Sequence, residues 1–146
     1  MTKEEESQII GKTVRDLFEK GVKRIVVSMG KEGALMRERG FAAAAEAIPV
    51  EVQSTVGAGD AFAAALAYAW ENKLDKKEAF QLGMAVSAGA VTTEGTRPPS
   101  LKKVQELVLQ CLQNYLRHVL WYLVLRVHQE SEKFLDNLPD NQNLQH

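Results

Sequence analysis

Cysteine is almost absent from this chain: Cys111 is the one example in 146 residues. A single cysteine excludes an intrachain disulfide and any multi-cysteine metal site, and it fits a reduced, cytoplasmic setting. An excess of charge of either sign is also absent, because 18 basic and 19 acidic side chains give a formal net charge of -1. This balance, without any strongly basic cluster, argues against nucleic acid as a partner.

An apolar run suited to a membrane span is lacking too. Residues 107–127 are rich in Leu, Val, Tyr and Trp, but glutamine, asparagine, arginine and histidine interrupt them, so no membrane partner is expected. The acidic and polar stretch 1–6 does not have the pattern of a secretory signal. The histidines have no spacing typical of a zinc site; they are His118, His128 and His146.

What remains is the composition of one soluble globular domain, with 45% hydrophobic and 25% charged residues. The order of the predicted elements indicates an α/β fold. The first strand is β-branched and of the kind buried on both faces of a parallel sheet, and the next two form a hairpin or meander through Glu38-Arg39-Gly40. Helices are predicted at 2–20, 57–72, 76–91 and from about 100, and strands at 24–29, 34–36 and 41–52.

Residues 54–67, Ser-Thr-Val-Gly-Ala-Gly-Asp-Ala-Phe-Ala-Ala-Ala-Leu-Ala, are the most informative stretch. Small residues let the backbone approach a ligand closely, and the Ala-rich run that follows favours a helix. The free N–H groups and positive dipole of a helix start bind phosphate. Asp60 would be a carboxylate beside that anion site, an arrangement suited to phosphoryl transfer. The alternative is a plain helix start with a favourable acidic residue in its first turn.

This stretch resembles the C-terminal signature of the PfkB (ribokinase-like) carbohydrate kinases, whose core reads Gly-Ala-Gly-Asp. The resemblance implies that Asp60 is the catalytic base and that the amides of Gly57, Ala58 and Gly59 form the anion hole. It also places Gly59 and Asp60 among the residues that bind the nucleotide.

A second motif, Ser-Met-Gly-Lys-Glu-Gly, ends the first predicted strand. Such a turn needs glycines for structural reasons alone, but PfkB kinases carry the same sequence about thirty residues before their Asp. In α/β folds both motifs would lie at the carboxyl ends of strands. The resemblance implies that this turn contributes ATP-site residues, namely Ser28, Gly30, Lys31, Glu32 and Gly33. Lys31 also fits a solvated loop lysine.

Two further segments extend the resemblance. Residues 83–90 form a helix surface of small side chains, which either packs closely against another helix or leaves room beside the adenine, as in related kinases. The loop 92–96, Thr-Thr-Glu-Gly-Thr, is similar to the loop of the sub-group that phosphorylates hexose phosphates. That sub-group includes 1-phosphofructokinase and tagatose-6-phosphate kinase, and the combined motifs look most like the 1-phosphofructokinase side.

The resemblance implies an ATP-dependent kinase that phosphorylates a hydroxyl of a sugar phosphate. Fructose 1-phosphate, giving fructose 1,6-bisphosphate, is the first expectation, and tagatose 6-phosphate the alternative. ATP and Mg²⁺ are the expected cofactors, and Mg²⁺ would be held by nucleotide phosphates and water rather than by protein ligands.

Family members are roughly twice as long as this chain, and the resemblance covers about residues 4–107. The implied fold is therefore the C-terminal half of a ribokinase-like three-layer α/β/α fold, truncated at its N-terminal side. Residues 1–107 would be the nucleotide-binding, catalytic half and 108–146 a divergent tail, helical and then disordered. This tail fits a frameshift, a fusion or a helix that covers exposed surface.

Because the missing half supplies most sugar-binding residues, three hypotheses stay open for the chain alone. It is a kinase, a nucleotide-binding module without turnover, or an interaction fragment. The fragment would pair with a separate N-terminal half or with a second copy, since a cut sheet exposes an unpaired edge.

Overall fold

The computed structural model describes residues 2–114, 116, 117 and 120. They belong to two units, Met1–Cys111 and Leu112–His146. In the second unit, residues 112–114, 116, 117 and 120 are helical. The predicted course of the tail beyond them, including the disorder expected from 136 to 146, lies outside the described residues. The boundary predicted between 107 and 108 stays a prediction.

The first helix, α1, covers Lys3–Glu19 and confirms the helix predicted at 2–20. It begins with a capping box, in which the Glu5 N–H donates to Thr2 Oγ1 at 3.2 Å and the Thr2 N–H donates to Glu5 Oε2 at 2.7 Å. This reciprocal pair satisfies two donors that a helix start otherwise leaves open. Gly21 follows the helix at a φ of 89°, a left-handed conformation that ends helices.

Three antiparallel strands form one sheet in the order β1–β2–β3, with β1 at Arg24–Ser28, β2 at Ala34–Glu38 and β3 at Phe41–Ala45. The register places Val26 opposite Met36 and Met36 opposite Ala43. The hairpin predicted between β2 and β3 is confirmed. The prediction of a parallel strand is wrong for the described residues, where β1 pairs with β2 in the antiparallel sense. Only Ile25 of β1 is buried, and Val26 and Val27 are half-buried, so the predicted burial on both faces is not seen among the described residues either. β-branched residues fit a pleated surface and do not fix strand direction.

The strand predicted at 41–52 ends early, at Ala45. Residues 46–52 belong to no strand, and Pro49 has no N–H with which to extend a ladder. Ile48 is buried in the core, and Val50 packs against it. The alternating apolar pattern of this stretch therefore comes from packing onto the core rather than from strand pairing.

Three helices complete the first unit: α2 at Ala58–Glu71, α3 at Lys76–Ala90, and α4, which begins at 101 and reaches the end of the unit at 111. These confirm the predicted helices. Asp75 and Glu78 form a second capping box at the start of α3. The core lies among the sheet, the loop after β3 and these helices; its largest members are Met36, Ile48, Phe62, Leu66, Phe80, Met84 and Leu107.

Small residues on α3 serve close packing. A Cβ atom on Gly83 would stand 2.8 Å from Cε1 of Phe62, whose ring meets Phe80 edge-on at 6.3 Å between centroids. A Cβ on Gly89 would stand 2.8 Å from Cβ of Pro99. These contacts favour the packing interpretation of residues 83–90. Among the described helices, none has the length and apolar character needed to cross a membrane.

Candidate active site

The loop before α2 is anchored to the end of α3. The carbonyl oxygen of Val91 accepts hydrogen bonds from the N–H groups of Gln53, at 2.8 Å, and Ser54, at 3.2 Å. The Ser54 hydroxyl oxygen then accepts the N–H of Val56 at 3.2 Å. These bonds hold the loop that leads into the Gly-Ala-Gly-Asp motif.

Gly57 turns the chain into α2. Its φ of 80° and ψ of 0° are left-handed, a conformation that costs an L side chain about 1–2 kcal/mol and glycine nothing. No side chain caps this helix start, in contrast to the capping boxes of α1 and α3. In the described part of the chain, no hydrogen bond takes up the N–H groups of Gly59 and Asp60. The Ala58 N–H, by contrast, donates to the Thr55 carbonyl oxygen at 3.4 Å. The turn therefore leaves the amides of Gly59 and Asp60, but not that of Ala58, free for an anion.

The space over these amides is open. A Cβ on Gly59 would meet nothing within 4 Å, and Gly59 and Asp60 are both exposed. Asp60 is the third residue of α2 and the acidic residue of its first turn. Asp60 is therefore exposed within the same helical turn as the free amides, and its role as the base stays a prediction.

The loop 92–97 lies against this turn. The side-chain methyl of Thr96 is 3.7 Å from the position that a Cβ on Gly57 would take. The Thr93 hydroxyl lies 2.9 Å from the Ala90 carbonyl oxygen and 2.6 Å from that of Arg97. The Thr-Thr-Glu-Gly-Thr segment thus borders the Gly57 turn. The contact joins residues almost forty positions apart, and no pattern of spacing indicates it.

The second motif forms a separate turn at the end of β1. Gly30–Glu32 is one turn of 3₁₀-helix, closed by hydrogen bonds of 3.1 Å from the Glu32 N–H to the Met29 carbonyl oxygen and from the Gly33 N–H to that of Gly30. The Met29 N–H also donates to the Gly33 carbonyl oxygen at 2.8 Å, which joins the two ends of the turn. Gly33 has a φ of 102°, and a Cβ there would collide with the carbonyl oxygen of Ala45. Glycine is therefore a structural requirement at this position.

The predicted site residues lie on two turns of the structure. Gly57, Ala58, Gly59 and Asp60 share the start of α2, beside the loop 92–97. The turn from Ser28 to Gly33, with Lys31 and Glu32 exposed, lies at the end of the sheet where β3 stops. The approach of this turn to the same nucleotide stays a prediction. Among the described residues, no group of three His, Cys, Asp or Glu could hold a metal ion.

Comparisons with known proteins identify the family of this chain. Residues 1–103 match the family described as pfkB family carbohydrate kinase. The chain is 35% identical to the 1-phosphofructokinase of Haloferax volcanii over 89 residues, which cover 61% of this chain and 29% of that protein. It is 40% identical to the 1-phosphofructokinase of Rhodobacter capsulatus over 98 residues, covering 67% and 31% respectively.

A solved structure gives the same result for the fold. The structure of Arabidopsis thaliana ribokinase, complexed with ribose and ATP, superimposes with a TM-score of 0.62 at 29% identity, over 68% of this chain and 33% of that one. The fold is therefore the ribokinase-like α/β fold that the motifs imply. The chain spans about a third of the length of these relatives.

Proposed function

Since this chain belongs to the pfkB family of carbohydrate kinases, we propose that it contributes the catalytic part of an ATP-dependent phosphoryl transfer to a sugar phosphate. The observation that carries the proposal is the start of α2, where the left-handed Gly57 leaves amide donors open beside an exposed Asp60. The two groups together provide an anion site and a proton acceptor within one helical turn.

In the proposed reaction, Asp60 accepts the proton of the attacking sugar hydroxyl. That oxygen bonds to the γ-phosphorus of ATP while the bond from this phosphorus to the bridging oxygen breaks, which releases ADP. The amides of Gly57, Ala58 and Gly59 bind the charge on the transferring group, and that of Ala58 exchanges its 3.4 Å bond to the Thr55 carbonyl oxygen for the anion. A positioned base contributes about 10²- to 10⁴-fold to the rate, and each amide donor about 10²- to 10³-fold.

The proposed cofactors are ATP and Mg²⁺. Mg²⁺ would neutralise charge on the nucleotide phosphates, and phosphate oxygens and water would supply most of its ligands. The open space over Gly59 leaves room for phosphate oxygens against the backbone. We assign the nucleotide side of the site to residues of both motifs: Ser28, Gly30, Lys31, Glu32, Gly33, Gly59 and Asp60.

For the acceptor, we propose fructose 1-phosphate, phosphorylated to fructose 1,6-bisphosphate. Two relatives at 35% and 40% identity carry the name 1-phosphofructokinase, and the loop 92–96 resembles the same sub-group. Tagatose 6-phosphate is the second acceptor on the same grounds of resemblance.

A second candidate function is an interaction fragment that binds nucleotide. The match to only a third of each relative favours it, as does β1, which pairs along one edge only among the described strands. Its partner would be a polypeptide with the rest of the kinase fold or a second copy of this chain.

The test measures ADP release from ATP and Mg²⁺ with fructose 1-phosphate, tagatose 6-phosphate and ribose as acceptors. It uses the chain alone and then mixed with a polypeptide that supplies the other two thirds of a family fold. Asp60→Asn should lower kcat by about 10²- to 10⁴-fold. The control Asp16→Asn, an exposed carboxylate on α1, should keep full activity.

Three outcomes separate the candidates. Turnover that Asp60→Asn abolishes supports the kinase. ATP binding without turnover, in the chain and in the mixture, supports the nucleotide-binding fragment. Full activity of Asp60→Asn would contradict the assignment of the base.

A further inference from the structure

We infer that Thr93 is a positioning residue, whose hydroxyl holds the loop 92–97 against the anion-binding turn at Gly57. The inference deepens the function proposed above and rests on it for its effect on ATP. Thr93 itself is half-buried at the end of α3 and acts through its neighbours rather than on a substrate.

The Thr93 hydroxyl joins the two ends of its own loop. Its oxygen lies 2.9 Å from the carbonyl oxygen of Ala90, the last residue of α3, and 2.6 Å from that of Arg97. A hydroxyl has one proton, so the two carbonyls share it, and the shorter distance is the one across the loop. Gly95, at a φ of 62°, makes the bend that this closure needs.

The far end of the loop is the part that reaches the site. Thr96 precedes Arg97, and its methyl is 3.7 Å from the Cβ position of Gly57. On the other side, the Val91 carbonyl holds the N–H groups of Gln53 and Ser54. The end of α3 and its loop therefore contact the chain both before Gly57 and at Gly57.

Such outside contacts matter because Gly57 has no side chain with which to fix its own conformation. Glycine loses more backbone freedom on ordering than any other residue, and this helix start has no side-chain cap. Without the Thr93 hydroxyl, Thr96 would leave its place and the Gly57 turn would become mobile. The amides would then be ordered only when an anion binds, which weakens binding.

The experiment compares three variants of the full chain. Thr93→Val keeps the branched shape and removes the hydroxyl, while Thr93→Ser restores it. The matched control is Thr92→Val, because the Thr92 hydroxyl donates at 2.7 Å to the Gly89 carbonyl within the end of α3 and does not span the loop. The readouts are the amide NMR resonances of the turn and the ATP affinity measured by calorimetry.

Thr93→Val should shift and broaden the amide resonances of Gly57, Gly59 and Asp60. It should weaken ATP binding by about 3- to 10-fold, the range of one net hydrogen bond. Thr93→Ser should restore both readouts, and Thr92→Val should leave both unchanged. Unchanged turn resonances in Thr93→Val, or equal changes in Thr92→Val, would overturn the inference.

A substitution at the exposed residue Thr96 tests the inference if Thr93→Val does not fold. Thr96→Ser removes only the methyl that faces Gly57, and it should shift the same three amides; if it does not, the inference is wrong. The resonances also separate this inference from the proposed function. Absence of ATP binding in the unaltered chain would overturn the function, whereas the amide comparison still decides the role of Thr93.

Discussion

The guanidinium carbon of Arg24 lies 4.8 Å from the centroid of the Trp70 ring. Arg24 is on β1 and Trp70 is on α2, so this cation–π contact joins the sheet to the helix that carries Asp60. The Arg24 Nε also lies 3.3 Å from Glu38 Oε2, and Lys76 Nζ lies 3.5 Å from the other oxygen of that carboxylate. The planar guanidinium of Arg24 therefore stacks on the Trp70 ring and pairs with the Glu38 carboxylate at the same time.

Arg24→Lys should lower the free energy of unfolding by about 0.5–1 kcal/mol, because an ammonium cannot stack on the ring and pair with Glu38 together. The effect is small since about half of the Arg24 side chain is exposed. Urea unfolding followed by tryptophan fluorescence measures it. Arg37→Lys, also exposed and on β2, is the control and should change little; an equal loss there would argue against a special role for Arg24.

Gly59→Ala should separate stability from ligand binding. A helical alanine is up to about 1 kcal/mol more favourable than glycine, and a Cβ at this position meets nothing within 4 Å. The same methyl would stand between the backbone and a bound phosphate, so ATP affinity should fall about 10-fold or more, the size of one lost charge-assisted hydrogen bond.

Gly11→Ala is the matched control, because Gly11 is a helical glycine of α1 with equally open surroundings. It should give the gain in melting temperature without the loss of affinity. If Gly59→Ala binds ATP as well as the unaltered chain, the anion hole does not lie over Gly59.

Gly33→Ala should lower the free energy of unfolding by about 2–5 kcal/mol. The left-handed φ costs about 1–2 kcal/mol, and the displacement of the Ala45 carbonyl and of the Glu46 backbone, 2.8 Å away, adds about 1–3 kcal/mol. Gly30→Ala tests the first contribution alone, since its φ is 56° and its surroundings are open. Denaturant titration of both variants should show Gly30→Ala to be the milder one, and the reverse order would contradict the collision.

Burial raises the pKa of the Cys111 thiol above its ordinary value of 9.0. In the unfolded chain the thiol loses its proton at lower pH than in the folded chain. Its contribution to stability is therefore full below pH 9.0 and is lost as the pH rises through the folded pKa.

Two measurements check this thiol. Alkylation in the folded chain should be slower than in the unfolded chain at the same pH, because the thiolate is the reactive form. Cys111→Ala should lose less stability between pH 8 and pH 10 than the unaltered chain does. Equal pH dependence of the two chains would contradict the assignment.

Most of the fold could be predicted from local patterns. The capping residues Thr2 and Asp75 mark the starts of α1 and α3, and Glu38-Arg39-Gly40 marks the hairpin, because these signals act over a few residues. The predicted end of the third strand at residue 52 is wrong, because Ile48 and Val50 pack onto the core without pairing to another strand. An alternating apolar pattern alone does not distinguish such packing from a paired strand.

The local geometry of the candidate site could be predicted only where a single segment contains it, and the roles assigned to its residues stay predictions. Gly57 and Asp60 lie within one turn, so their sequence specifies their geometry. The bonds from Gln53 and Ser54 to Val91 join backbone atoms far apart in the chain, and backbone atoms carry no residue type that a sequence pattern can report. The contact between the Thr96 methyl and Gly57 joins residues almost forty positions apart, a distance over which local patterns give no signal.

The three long helices of the first unit begin in different ways, and the difference has a thermodynamic consequence. Reciprocal side-chain bonds complete the first turns of α1 and α3, whereas that of α2 is left incomplete. A bound anion would accept hydrogen bonds from the free N–H groups of this turn, so its binding would stabilise the folded chain against thermal unfolding. The melting temperature of the chain should therefore rise with nucleotide concentration.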